Sequence, residues 1–321
     1  MSYAFDPELA ANIALIPDLD LDDIEASREM ARELAEHAPP VDESGIDVRD
    51  VTIAVDNEGG EIALRLFTPR GAARPLPVIY DMHPGGFCLG SLANGHARAV
   101  ELARNVEALV VSAEYRLAPE HPYPVGLEDC YQGLKWVADN AAELEADPTR
   151  LCVHGQSAGG GLAAAVALLA RDRGAPAICF QYLGIPELDD RLDTESMRVY
   201  TDTPFWNAGL ARRSWTHYLG GQATPGSKDV PAYAAPARAE DLSGMPPAYI
   251  VLAQFDPLRD EGIEYARKLL RAGVPVELHL FPGTFHGAVA IASAQITQRE
   301  LAEEVTVLRR ALHGPLHGIS A

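Results

Sequence analysis

An α/β fold, a mainly parallel sheet with helices on both faces, is expected on three grounds. Short apolar runs alternate with amphipathic helical stretches along most of the chain, the pattern of repeated strand-helix units. A glycine-rich turn at 155–161 joins an apolar run to an Ala/Leu-rich helical run. The alternation stops across 185–244 and then resumes, which marks an insertion within one fold rather than a second fold.

Taken in order, residues 7–38 read as helical. Leu9, Ile13 and Ile16 recur at helical spacing, then Leu21, Ile24 and Met30, and Pro39-Pro40 closes the run. Strands follow at 48–55 and 62–67, separated by the hairpin-like turn Asn57-Glu58-Gly59-Gly60. A strand at 76–82 leads to a helix at 95–105, and a strand at 108–113 to a helix at 125–141. The strand 151–153 leads through the glycine turn to a helix at 162–170, and 177–183 is a further strand. Residues 185–244 carry no strand-like run, are rich in Pro, Asp and aromatic residues, and hold one clear helix near 206–219. The pattern resumes with a strand at 248–253, a helix at 257–272, a strand at 276–281 and a last helix near 288–312. The two early strands supply an antiparallel edge. Residues 46–184 and 245–321 thus form the α/β body, 185–244 an inserted cap, and 1–45 N-terminal helices that pack with the cap.

Composition narrows the function. With 321 residues, 47% of them hydrophobic and 22% charged, the chain is long and apolar enough for a packed core. A formal net charge of −20 argues against nucleic acid or an anionic membrane as partner. The four cysteines, Cys88, Cys130, Cys152 and Cys179, contain no Cys-x-x-Cys pair, so reduced thiols are expected. Cys88, in a loop that lines the site, is the one whose oxidation would matter. The acidic start has no basic-then-apolar signal pattern, and no run is long enough to span a bilayer, so a cytoplasmic location is expected.

Ser157 sits at the apex of Gly155-Gln156-Ser157-Ala158-Gly159. Glycines two residues either side let a strand turn sharply into a helix around a strained residue, the geometry of a nucleophile elbow. A serine hydroxyl is a weak nucleophile at neutral pH, so it needs a base, and the base needs a third group to fix its tautomer. In the α/β-hydrolase fold those partners follow later strands. Asp256 stands where the strand 248–253 runs out. As a residue before Pro257 it also suits a helix cap, but its position decides for the triad. Among ten histidines, only His286 lies in a Gly-rich loop after the final strand. His279 within that strand reads as a surface residue; His154, His37, His217, His313 and His317 read as structural. No clustered His/Cys ligands point to a metal, and no cofactor is expected. The strand 76–82 ends in His83-Pro84-Gly85-Gly86-Phe87, where this fold places its oxyanion loop. Gly85, Gly86 and Ala158 offer backbone amides, and His83 orients the loop by a hydrogen bond.

Together, His83-x-Gly85-Gly86, Gly155-Gln156-Ser157-Ala158-Gly159-Gly160, Tyr115-Arg116-Leu117-Ala118-Pro119-Glu120, Asp256-Pro257-Leu258-x-Asp260-Glu261 and His286-Gly287 resemble the hormone-sensitive-lipase-like family of bacterial carboxylesterases. The stretches 185–192 and 281–286 resemble its bacterial heroin-esterase type. The resemblance implies a capped α/β-hydrolase with a Ser157/Asp256/His286 triad, an oxyanion hole from Gly85, Gly86 and Ala158, and a homodimer. One residue departs from the pattern: Pro84 replaces the first of three family glycines, and proline has no amide to donate.

The expected activity is hydrolysis of a small-molecule ester through an acyl-enzyme. Phe87 and Leu89 from the oxyanion loop, with Tyr182, Phe205 and Trp206 around the cap, are expected to wall a pocket of limited room that favours short acyl chains. An amidase or arylacetamide-type deacetylase would use the same triad. A ligand-binding receptor on an inactive hydrolase fold is disfavoured by the presence of His286, and a dehalogenase or epoxide hydrolase with an aspartate nucleophile by Ser157.

Overall fold

The computed structural model describes residues 3–56 and 59–314. Asn57 and Glu58 of the expected hairpin turn, and His317, lie outside them. An eight-stranded sheet runs through the molecule in the order β1-β2-β4-β3-β5-β6-β7-β8. Its strands are β1 (Ile46–Val55), β2 (Gly60–Pro69), β3 (Leu76–Met82), β4 (Leu109–Ala113), β5 (Ala146–Gln156), β6 (Phe180–Gly184), β7 (Ala248–Phe255) and β8 (Val276–Phe285). β1 pairs antiparallel with β2, and β2 with β4; every later pairing is parallel. This is the α/β-hydrolase architecture.

Two apolar layers enclose the sheet. On one face lie α3 (Leu92–Leu102) and α9 (Gln295–His313), which bury Val100, Leu102, Val307 and Leu308 against Ile79, Cys152 and Val251. On the other lie α4 (Val125–Asp139), α5 (Ala158–Arg173) and α8 (Arg259–Arg271), against Val78, Tyr80, Val153 and Ile250. The odd-even split of Val78, Ile79 and Tyr80 between the layers is the two-residue alternation of a strand. α5 is buried along its first thirteen residues, and its glycines and alanines allow that close approach. It ends at Gly174, left-handed at φ 76°, with Arg171 and Arg173 in its last turn.

Several expected elements shift. The N-terminal run is broken into α1 (Pro7–Ala10), a 3₁₀ turn and α2 (Ile24–Glu36), because Leu9 and Leu21 turn inward to separate clusters. The expected helix at 288–312 opens with a 3₁₀ turn, Ala288–Ala290, and α9 starts only at Gln295. Between them Ile291 and Ala294 are buried with Leu9 and Phe285. Residues 185–244 hold α6 (Glu195–Val199) and α7 (Ala208–Leu219). The N-terminal segment packs on α7, where Asp22 pairs with Arg213 and His217 Nε2 donates to the Leu21 carbonyl at 2.8 Å. No helix among the described residues is long and apolar enough to cross a membrane.

Candidate active site

Ser157 occupies the turn between β5 and α5 at φ 56° and ψ −123°. A left-handed serine is uncommon and costs about 1–3 kcal/mol, so its surroundings must hold it. Its amide donates to Gly184 O at 2.8 Å, and its carbonyl accepts from Gly161 and Glu187. Gly155 and Gly159 are obligatory here. A methyl on Gly155 would run into the backbone of Gly159, and one on Gly159 into the Met82 carbonyl at the end of β3.

The three residues that the sequence singled out, far apart in the chain, converge. Ser157 Oγ lies 2.8 Å from His286 Nε2, and His286 Nδ1 lies 2.7 Å from Asp256 Oδ2. Asp256 Oδ1 accepts the Leu258 amide at 2.8 Å, so the carboxylate is oriented by the start of the segment leading into α8. All three side chains are buried. β7 and β8 are parallel neighbours, which brings Asp256, just past the end of β7, beside His286, just past the end of β8.

The expected oxyanion loop adjoins the elbow. Met82 at the end of β3 is paired with Gly155, and a methyl on Gly159 would also crowd the His83 carbonyl. Gly85 (φ 135°) and Gly86 (φ 56°) take backbone conformations that favour glycine, and Gly85 O accepts both the Cys88 and Leu89 amides. The loop is tied down through its carbonyls. His83 Nδ1 donates to Pro84 O at 2.9 Å, and Tyr115 Oη donates to His83 O at 2.9 Å while its ring stacks on that of His83. Ser214 Oγ of α7 donates to Gly86 O at 3.0 Å. From α2, Arg28 donates to Cys88 O and Ala118 O, each at 3.0 Å, and pairs with Glu120. Sequence reasoning missed Ser214 and Arg28, and neither carries a local signal.

The expected pocket residues divide. The Trp206 ring stacks on His286 with centroids 5.6 Å apart, and it also abuts Gly86, where a methyl would strike it. Phe205 packs on Gly287, the residue after His286. Both stand in the loop before α7, whose first turn is capped by Asn207. Phe87 is buried, with its ring stacked on Tyr218 at 3.9 Å, and Leu89 is buried beside it in the same cluster. Tyr182 is a correction. It stacks between His154 and Tyr249 in the layer beneath α9, because strand alternation on β6 turns it away from Leu183 and toward that face. Cys88 is corrected too: it is fully buried, and burial pushes its thiol up, so it is poorly placed to oxidise. All four thiols are free.

A cavity of about 510 Å³ lies between the N-terminal segment and the loop before α7, lined by Phe5, Ile13, Leu19, Phe205 and Leu210 among others. Among the described residues no group of three or more His, Cys, Asp or Glu is placed to hold a metal ion.

The family described by the alpha/beta hydrolase fold matches residues 78–290. Esterase LipI of Mycobacterium tuberculosis is 38% identical over 97% of this chain and 96% of its own length. Carboxylesterase NlhH of the same species is 39% identical over 91% of each chain. Among solved structures, a bacterial heroin esterase superposes with a TM-score of 0.94 at 45% identity, covering 96% of this chain and 98% of its own. The chain belongs to the α/β-hydrolase family, in the hormone-sensitive-lipase-like branch that its motifs resemble. It is an enzyme of the carboxylic ester hydrolase class.

Proposed function

We propose that this enzyme is a serine esterase that cleaves short-chain acyl esters through an acyl-enzyme intermediate. The observation that carries the reading is the unbroken line of hydrogen bonds from Ser157 through His286 to Asp256 beside a glycine loop. Ser157 Oγ attacks the ester carbonyl carbon as His286 Nε2 takes its proton. Asp256 holds Nδ1, fixing the tautomer and offsetting the imidazolium charge. The amides of Gly85, Gly86 and Ala158 receive the oxyanion, the last at the positive end of α5. Collapse expels the alcohol, which leaves with the proton from His286, and water repeats the cycle on the acyl-enzyme.

The cap formed by the N-terminal segment and the insertion supports a small substrate, since Trp206 and Phe205 crowd the triad. Turnover of p-nitrophenyl esters is expected to peak between acetate and hexanoate and to fall for longer chains. Ser157→Ala is expected to lower kcat by about ten thousand-fold or more. A maximum on long chains would overturn the size reading, and an undiminished Ser157→Ala enzyme the triad. A cytoplasmic homodimer is the proposed form, in keeping with the family resemblance and the free thiols. A single-chain mass in sedimentation, or fractionation elsewhere in the cell, would remove it.

A further inference from the structure

Glu187 stands three residues past β6 and is fixed beside the nucleophile. Its amide donates to Ser157 O at 3.1 Å, and its carbonyl lies where a methyl on Gly161, in the first turn of α5, would strike it. Its side chain is 0% exposed, yet neither carboxyl oxygen has a hydrogen-bond partner among the described residues. Burial pushes this carboxyl up to about 8, and the Asp256 charge adds to the rise, so it is a neutral acid at neutral pH. The Ser214 hydroxyl tempers the rise, but its proton is committed to Gly86 O. Cys88 and Tyr218 also lie within electrostatic range. The carboxyl is thus set between the elbow, the oxyanion loop and α7.

A buried acid without a partner is costly, and the triad does not use this one. The substrate halves indicate what meets it. The leaving alcohol must lie within reach of His286, on the side where Phe205 packs on Gly287 and lines the 510 Å³ cavity. Glu187 adjoins the rest of the site: its amide meets Ser157 O, its carbonyl faces Gly161, and Ser214, which holds Gly86 O, is close to its carboxyl. We propose that Glu187 is a specificity-determining residue that hydrogen-bonds a hydroxyl or carbonyl oxygen on the acyl chain, so that the enzyme favours short oxygenated acyl esters. This rests on the esterase reading above. A neutral carboxyl both donates and accepts, so it serves hydroxy and oxo acyl groups alike.

The test compares kcat/KM for ethyl butanoate, ethyl 3-hydroxybutanoate and ethyl 3-oxobutanoate in the parent, Glu187→Leu and Glu187→Gln enzymes. The ratio of each oxygenated ester to butanoate is expected to fall at least about ten-fold in Glu187→Leu, which cannot hydrogen-bond. Glu187→Gln keeps a donor and an acceptor, and its ratios are expected to stay within about three-fold of the parent. Ratios in the Leu variant within about two-fold of the parent, with butanoate still cleaved, would overturn this inference alone. Should the Leu variant not fold, the same ratios are measured in Glu187→Asp, which withdraws the carboxyl by one methylene, and the same limits decide. A parent enzyme that cleaves none of the three would instead overturn the esterase reading.

Discussion

Ser157 shows what one residue can be made to carry. Its left-handed backbone is held by Gly184 O below and by the Gly161 and Glu187 amides above, and the glycines on either side leave room for the turn. The same scale settles Pro84. The amide that proline lacks is not among the loop's restraints, which include hydrogen bonds to the carbonyls of His83, Pro84, Gly85, Gly86 and Cys88. Pro84→Gly is therefore expected to leave kcat within about ten-fold of the parent in steady-state assays. A gain of a thousand-fold would show a hole that the native loop fails to form. Ser157, Asp256 and His286 were legible in the sequence because each follows an apolar run at a glycine or proline turn. Tyr182 was not, because the face a strand residue takes depends on the register of its neighbours. Ser214 and Glu187 were not, because their roles rest on contacts with segments remote in sequence.

Among the elements, α2 has a function that its sequence hides. The Arg28 guanidinium spans Cys88 O, Ala118 O and Glu120, and so fastens the N-terminal segment to the oxyanion loop. Its charge is kept by Glu120, whose hydrogen bonds raise the guanidinium further. Arg28→Ala is expected to lower kcat roughly ten- to a hundred-fold with little change in KM, since small misplacement of donors is costly at the transition state. Arg28→Lys, a point charge that cannot bridge three acceptors, should recover little of it. Equal kcat in parent and Ala variant would show that the contact is only structural. Periodicity found the inner strands β3, β4 and β7 because burial on both faces writes a continuous apolar run. It misjudged the ends. β5 begins at Ala146, where Asp147 and Thr149 are polar and Pro148 has no amide to donate, and α9 begins late, where Ala288, Ile291 and Ala294 serve a side cluster instead of the sheet.

At the scale of the whole molecule, the sheet and α9 are joined by buried charges that no motif announced. His154 on β5 lies between Asp81 on β3, at 2.8 Å, and Glu304 on α9, at 2.7 Å, and Glu304 also pairs with Arg98 on α3. Burial alone would lower the imidazole's affinity for its proton. The hydrogen bonds to the two carboxylates outweigh it and push His154 up to about 9. An unfolded histidine titrates near 6.5, so this contribution is complete below about pH 6.5 and is lost as pH climbs through about 9. Thermal melts from pH 6 to 10 are expected to show Tm falling over that window, and falling less in His154→Asn. Parallel curves for the two proteins would show that the imidazole stays neutral.

In the proposed mechanism an alcohol, an imidazole and a carboxylate act as one unit at Ser157, His286 and Asp256. Peptide mapping by mass spectrometry after exposure to a fluorophosphonate probes that unit. One adduct on Ser157 in the parent enzyme, and none in folded His286→Ala under the same brief exposure, is the predicted result. An adduct on another residue, or equal labelling of Ser157 without His286, would contradict it.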